Sequence, residues 1–192
     1  GTGGFGKVII KKFISQNCKV IATTTKKKNQ KNSKKLKIIQ LDLNDKNSII
    51  KFENEIKKIN KIDFLINNAG INVLNEIYNI KKKDLDSIFN INLLGPTWLT
   101  KLISIKMKKK KYGRIVNISS IYGAVSKEKR SIYSISKFGL NGLTKSTSLD
   151  LAKFNILVNS ISPGIFNTKL TRNILKKKGL KEVKKNIPLG RI

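Results

Sequence analysis

Short apolar runs alternate with helix-periodic segments along the whole 192-residue chain, and this alternation restricts the possible folds more than any other feature. Several runs are continuously apolar, which is typical of parallel strands buried on both faces. We predict strands within 17–24, 36–43, 63–70, 113–120 and 155–164, and helices at 7–16, 45–60, 84–110, 131–153 and 169–186. The 84–110 segment could be two helices, interrupted near Gly95-Pro96. This order predicts a doubly wound α/β fold, a parallel sheet with helices on both faces.

The chain shows neither repeats nor an interdomain linker, so we predict one domain over residues 1–192. Its formal net charge is +30, but only four of the 41 basic residues are arginine, and lysine recurs in plain loops and helices. This pattern favours solvated lysine faces over a nucleic-acid site, because aromatic-plus-basic stacking surfaces are absent. An acidic protein partner stays open as an alternative. We expect neither nucleic acid nor a membrane as a partner.

Cysteine and histidine content restricts the chemistry further. Cys18 is the single cysteine, which excludes an internal disulfide, and the chain has no histidine, so no metal site is expected. Small and polar residues instead follow every predicted strand, where ligands of such sheets bind. They are Thr23 to Thr25, Asp42, Asn67 to Gly70, Ser119 to Ser120 and Ser162 to Gly164.

Tyr133 and Lys137 are four residues apart in a predicted helix, which puts both side chains on one face. A nearby ammonium group favours the phenolate and lowers the tyrosine pKa. Tyr133 could then exchange a proton with a substrate oxygen. Such pairs also occur by chance in many helices, so the pair needs its context.

The context is a set of motifs. NNAG at 67–70, the serine of NISSIYG, YSISK at 133–137 and SPGIFNT at 162–168 resemble, in order and spacing, those of the short-chain dehydrogenase/reductases. The resemblance covers essentially the whole chain. It implies a Rossmann-like fold with three α/β/α layers. It also implies a nicotinamide cofactor that exchanges a hydride with a carbonyl or hydroxyl group.

The resemblance also implies roles for four residues. Tyr133 would give its proton to the carbonyl oxygen, and Ser120 would hold that oxygen. Lys137 would lower the tyrosine pKa and bind the nicotinamide ribose. Asn92 would position a water that links Lys137 to solvent.

Cofactor contacts follow from the same resemblance. Gly4 and Gly6 would be the end of the family's T-G-x-x-x-G-x-G loop, Asp42 would contact the adenine, and Asn67 and Thr168 would contact the ribose and carboxamide side. Thr24 stands where NAD-preferring members carry an acid, and with Lys26 to Lys28 it would suit a 2′-phosphate, so we expect NADPH rather than NADH. The remaining expected contacts are Ala69, Gly70, Tyr133, Lys137, Pro163, Gly164 and Ile165.

The chain begins inside this glycine motif and ends at IPLGRI, which resembles a family segment followed by a helix and a strand. We therefore expect an internal fragment of a protein of roughly 250 residues, incomplete at both ends. The missing first strand would lie centrally and leave unpaired edges, so we expect the 192-residue chain alone to fold poorly.

Within the family, KVIATTT, KKKKYGRIVNISS and SPGIFNTKLT are similar to 3-oxoacyl-acyl carrier protein reductases of fatty acid biosynthesis. This similarity implies a carbonyl substrate presented on an acyl carrier protein. Two alternatives stay open: a reductase of a sugar or other small carbonyl compound in surface-polysaccharide biosynthesis, and a non-catalytic nucleotide-sensing module. The family assembles through two long helices, so we expect a homodimer or homotetramer. We also expect the protein to be cytoplasmic.

Overall fold

Helices and strands alternate in the computed structural model, which describes residues 3–26 and 32–192, as the sequence pattern predicts. The strands are Val20–Thr24 (β1), Leu36–Gln40 (β2), Phe64–Asn67 (β3), Gly113–Ile118 (β4) and Ile156–Ile161 (β5). The helices are Phe5–Ser15 (α1), Lys46–Lys57 (α2), Lys82–Phe89 (α3), Gly95–Lys110 (α4), Ser131–Ala152 (α5) and Lys169–Lys185 (α6). None of these helices combines the length and the apolar character that crossing a membrane requires.

All strand pairs among these five strands are parallel, which confirms the predicted α/β class. They form two sheets, β1 with β2, and β3 with β4 and β5. Within the described residues, β1 and β3 therefore each leave one edge without a strand partner. These are the edges that the sequence analysis expected to be unpaired, and poor folding of the chain stays a prediction.

The predicted interruption between two long helices is a π-helical turn at Asn90–Leu94, one turn earlier than expected. Pro96 lies in the first turn of α4, where its missing N–H breaks no helical hydrogen bond. At Gly95, a Cβ atom would lie 2.5 Å from Leu43 Cδ1 and 2.8 Å from the Asn90 carbonyl oxygen. Only glycine therefore fits where this turn meets the segment after β2.

One apolar cluster packs against strands of both sheets. Ile39 of β2 and Phe52 of α2 belong to it, as do Ile103 of α4 and Ile115 of β4. The cluster also contains Leu41, Ile56, Met107, Leu151, Ile156 and Val158. Since no hydrogen-bond ladder joins the two sheets in the described chain, burial of this shared core contributes to holding them together.

Ile56 and Ile50 offer a matched test of this core because both lie on α2, 2% and 55% exposed respectively. We expect Ile56→Ala to lower the free energy of unfolding by about 2–5 kcal/mol, since it leaves a cavity. Ile50→Ala should change it by less than about 1 kcal/mol. Urea denaturation measures the free energy of unfolding of both variants, provided that their m values are unchanged. Equal losses of unfolding free energy in the two variants would contradict the assignment of Ile56 to the core.

Candidate active site

The carboxyl ends of strands from both sheets and the first residues of α1 surround a cleft of about 630 Å³. Apart from Lys26 to Lys28, the sequence analysis expected fifteen residues at the site, and twelve of them line the cleft: Gly4, Thr24, Asp42, Asn67, Ala69, Gly70, Ser120, Tyr133, Lys137, Pro163, Gly164 and Thr168. Gly6, Asn92 and Ile165 do not. Gly6 is buried in the first turn of α1, and Asn92 is buried behind Gly70.

The glycine-rich segment shapes one wall of the cleft. Gly4 has φ +48° and ψ −125°, a backbone conformation that glycine adopts without strain. A Cβ atom added at Gly3 or Gly4 would meet nothing within 4 Å, so the backbone faces open space. The positive end of the α1 dipole and its N–H groups are at this point, which suits an anion such as a phosphate.

A chain of buried hydrogen bonds fixes the cleft floor. Asn67 Nδ2 donates to Asn117 Oδ1 at 2.8 Å and to Thr100 Oγ1 at 3.3 Å. Asn117 Nδ2 donates in turn to Thr144 Oγ1 at 2.8 Å, so the chain ties β3 and β4 to α4 and α5. Asn67 Oδ1 stays buried without a partner in the described structure. Sequence analysis missed Asn117 and Thr144, although Asn117 pairs with Asn67 in the β3–β4 register.

Lys137 is buried to 3% exposure, and its Nζ donates to the Ile118 carbonyl oxygen at 2.8 Å. Burial lowers the pKa of Lys137 to about 8 because it penalises the charged ammonium. At Gly70, a Cβ atom would lie 3.7 Å from this Nζ and 3.5 Å from Asn92 Oδ1. The chain after β3 therefore passes close to the ammonium group.

Tyr133 shows the opposite effect. Burial raises the pKa of its phenol above the usual value, while the Ser120 hydroxyl and the Arg130 charge lower it to a smaller extent. Sequence analysis predicted that Lys137 would bring this pKa down, but desolvation outweighs the favourable groups. The Lys137 Nζ lies 5.8 Å from the centroid of the Tyr133 ring.

Asn92 lies in the π-helical turn and is fully buried. Its side chain accepts from the Ile71 N–H at 2.9 Å and donates to the Ile71 carbonyl at 2.9 Å and to Ser136 Oγ at 3.1 Å. Through these three hydrogen bonds, the Asn92 amide holds the segment after β3 against α5. π-Helical turns occur frequently at functional sites.

The far end of the cleft carries the residues expected at the adenosine side. Thr24 Oγ1 accepts from the Lys26 N–H at 3.3 Å, and Asp42 Oδ1 accepts from the Asn44 N–H at 2.9 Å. Lys27 and Lys28, also expected near a 2′-phosphate, lie outside the described residues.

The segment after β5 closes over the cleft. The Pro163 carbonyl accepts from the Ile121 N–H at 3.1 Å, and Thr168 Oγ1 caps α6 by accepting from the Thr171 N–H at 3.3 Å. The Phe166 ring meets Phe5 edge-on, 4.9 Å between centroids. Sequence analysis missed this contact between the start of α1 and the segment after β5, because no local pattern indicates it.

Cation ligands are sparse in the described parts of the chain: no three His, Cys, Asp or Glu residues cluster in a way that could hold a metal ion.

The geometry is that of a nucleotide-sized cleft with a tyrosine, a serine and a lysine at one end. The family model of the short chain dehydrogenases matches residues 1–179. The chain belongs to this family. It is therefore an NAD(P)-dependent oxidoreductase, and the predicted family and fold are confirmed.

Individual relatives are similar over nearly the whole chain. The 3-oxoacyl-[acyl-carrier-protein] reductase of Buchnera aphidicola subsp. Schizaphis graminum is 38% identical over 98% of this chain and 80% of its own. The solved structure of ElxO with NADP bound has a TM-score of 0.89 and 27% identity, covering 100% of this chain and 82% of that chain. A mutant 4-hydroxyisoleucine dehydrogenase complexed with NADH and succinate has a TM-score of 0.86 and 32% identity, covering 96% of this chain and 78% of that chain.

The buried ammonium of Lys137 predicts a specific pH dependence of stability. Its folded pKa of about 8 lies below the ordinary value of 10.5, so the unfolded chain binds the proton more tightly. Burial of the charged ammonium costs the folded protein roughly 3 kcal/mol, judged by the size of this pKa shift. The full cost applies below pH 8, and it disappears as the pH rises toward 10.5. We expect Lys137→Met to stabilise the protein at pH 7, with the advantage shrinking across this window.

Chemical denaturation at a series of pH values measures this difference. Lys145→Met is the control, because it removes an exposed lysine from the same helix and should show no such trend. A difference between the original chain and Lys137→Met that is constant from pH 7 to about 10.5 would contradict the assigned burial penalty.

Proposed function

We propose that this oxidoreductase reduces the 3-oxo group of an acyl thioester carried on an acyl carrier protein, with NADPH as the hydride donor. The observation that carries the proposal is the convergence of Ser120, Tyr133 and Lys137 on one end of the cleft. The similarity to the Buchnera 3-oxoacyl-[acyl-carrier-protein] reductase supports this choice of substrate.

The cleft residues fit a nicotinamide dinucleotide. The open space above Gly3 and Gly4, at the positive end of α1, would take the diphosphate. Asp42 and Asn67 line the walls between, and Lys137 would bind the nicotinamide ribose. When bound, the cofactor supplies the hydride, and the chain supplies position and electrostatics.

The residues of the chain would then handle the substrate oxygen and its proton. The Ser120 hydroxyl donates a hydrogen bond to the carbonyl oxygen, as an oxyanion donor does. Tyr133 gives that oxygen its phenolic proton, and a raised pKa keeps Tyr133 protonated and ready as the acid at neutral pH. Asn92 holds the segment beside Lys137 in place through both hydrogen bonds to Ile71.

Tyr133→Phe tests the proton transfer. We expect the variant to lose about 10²- to 10⁴-fold in carbonyl-dependent NADPH oxidation, since it lacks the proton donor, while still binding NADPH. Tyr112→Phe removes a hydroxyl outside the cleft and should retain full activity. The rate of NADPH oxidation is followed by nucleotide absorbance. The binding of NADPH is followed by nucleotide fluorescence.

The same pair of measurements separates an enzyme from a nucleotide sensor. A chain that binds NADPH but reduces no carbonyl compound before any mutation would favour the sensing module. Undiminished turnover in Tyr133→Phe would remove Tyr133 from the reaction.

NADPH is preferred in this proposal because Thr24 offers a hydroxyl, and no carboxylate, at the end of β1. We expect Thr24→Asp to shift the ratio of kcat/KM values from NADPH toward NADH by roughly tenfold or more, because a carboxylate repels the 2′-phosphate and accepts from a 2′-hydroxyl. Thr24→Ser keeps the hydroxyl and should keep the preference. An unchanged ratio in Thr24→Asp would place the discrimination elsewhere.

A second candidate is oxidation or reduction of a smaller hydroxyl or carbonyl compound, including a sugar of surface-polysaccharide biosynthesis. It is supported by the similarity to 4-hydroxyisoleucine dehydrogenase complexed with NADH. Comparing kcat/KM for a 3-oxoacyl thioester and for sugar and hydroxy-acid substrates separates the candidates. A homodimer or homotetramer stays a prediction, supported by exposed Ile105 on α4 and exposed Ile135 and Phe138 on α5. The cytoplasmic location also stays a prediction.

A further inference from the structure

Ser120 and Tyr133 come from different elements, yet the proposed reaction needs both hydroxyls at one carbonyl oxygen. Ser120 lies after the end of β4, and Tyr133 lies on α5. A reacting group that is misplaced by about 1 Å can lose roughly a hundredfold of its effect. The contacts that join these two elements therefore decide how well the two hydroxyls cooperate.

The turn that follows Ser120 holds its hydroxyl. A 3₁₀ turn at Ile121–Gly123 begins here, and Ser120 Oγ accepts from the Tyr122 N–H at 3.2 Å. The Ser120 carbonyl accepts from the Gly123 N–H at 2.9 Å. The Tyr122 N–H takes one lone pair of the Ser120 oxygen, so the hydroxyl hydrogen stays available for a substrate oxygen. The position of the turn thus sets the position of the hydroxyl.

Asn141 ties this turn to α5. Its Nδ2 donates to the Gly123 carbonyl oxygen at 3.0 Å. A Cβ atom at Gly123 would lie 2.7 Å from that Nδ2 and 3.0 Å from the Lys137 carbonyl oxygen, so the turn lies directly on the helix. Tyr133, Lys137 and Asn141 follow one another at intervals of four residues, along one face of α5. The face that carries the tyrosine therefore also carries the amide that holds the turn.

Further hydrogen bonds between α5 and the end of β4 lie before Ser120 in the chain. Lys137 Nζ donates to the Ile118 carbonyl at 2.8 Å, and Ser119 Oγ donates to the Lys137 carbonyl at 3.4 Å. Asn141 makes its hydrogen bond after Ser120, to the turn itself. Ser120 is thus held against α5 from both sides.

The other end of the Asn141 amide is not used. Its Oδ1 is buried and has no hydrogen-bond partner within the described chain. A buried acceptor without a partner costs stability, and an apolar side chain would avoid this cost. An amide at this position is therefore better explained by what its Nδ2 holds than by a contribution to stability.

We propose that Asn141 is a positioning residue, which holds the turn at 121–123 on α5 and thereby sets the distance between the Ser120 and Tyr133 hydroxyls. This inference rests on the role of Ser120 proposed above. Asn141 does not line the cleft, so it acts through Ser120 and not on the substrate or the nucleotide.

Asn141→Ala removes the amide on the full chain. We expect kcat of carbonyl reduction to fall by about tenfold, because the Ser120 hydroxyl is displaced, while the dissociation constant of NADPH stays unchanged. The urea midpoint should change little, since the variant loses one hydrogen bond but also the unpaired acceptor. Asn141→Leu, which has no donor either, replaces it should the alanine variant not fold.

Ser148→Ala is the matched control. It removes another side-chain hydrogen bond of α5, from Ser148 Oγ to the Lys145 carbonyl at 2.7 Å, and should keep full kcat. An unchanged kcat in Asn141→Ala would overturn the proposal. So would a loss of NADPH affinity as large as the loss of kcat, because it would indicate general damage to the cleft.

The Ser120→Ala background tests whether Asn141 acts through Ser120. Without the serine hydroxyl, the position of the turn should no longer matter, so adding Asn141→Ala should change kcat by less than about twofold. Losses that multiply in the double variant would show that Asn141 acts independently of Ser120 and would overturn the proposal.

Amide hydrogen exchange provides a readout that needs no turnover. The N–H groups of Tyr122 and Gly123 both bond to Ser120, and in Asn141→Ala we expect them to exchange about 2- to 10-fold faster. Exchange as slow as in the unmodified chain would overturn the proposal. A chain that reduces no carbonyl compound but shows the faster exchange would refute the proposed reaction and retain the role of Asn141 in holding Ser120.

Discussion

The hydrogen-bond chain from Asn67 through Asn117 to Thr144 is the constraint on which the site depends. It joins the carboxyl ends of two neighbouring strands to α5, and through Thr100 also to α4. Buried amides left without partners are costly, so these bonds hold the strand ends in one arrangement. Tyr133 and Lys137 both project from α5, and their placement at the cleft follows from this anchoring.

Burial also produces the chemistry of the site. The same loss of water lowers the pKa of Lys137 and raises that of Tyr133, because each group is pushed toward its uncharged form. Close to these two groups, the guanidinium of Arg130 lies over the Tyr122 ring and carries a charge that does not titrate.

Much of the fold could be predicted from residues close together in the chain. The apolar runs around Ile38 and Ile115 predicted strands, and all ten expected elements appear where the pattern placed them. The π-helical turn at Asn90–Leu94 was displaced from the expected break, because proline is tolerated in the first turn of a helix. Local sequence carries no signal for the Phe5–Phe166 contact or for the separation of the strands into two sheets.

The sequence by itself determined the alternation of elements, the family motifs and the placement of Tyr133 and Lys137 on one helical face. Only the tertiary structure decided their proton affinities, since these depend on how much water the surrounding residues exclude. It also decided that Tyr122, which is distant in the chain from Tyr133, packs edge-on against its ring. Spacing along a helix is a local property, whereas desolvation and stacking arise only when separate elements pack together.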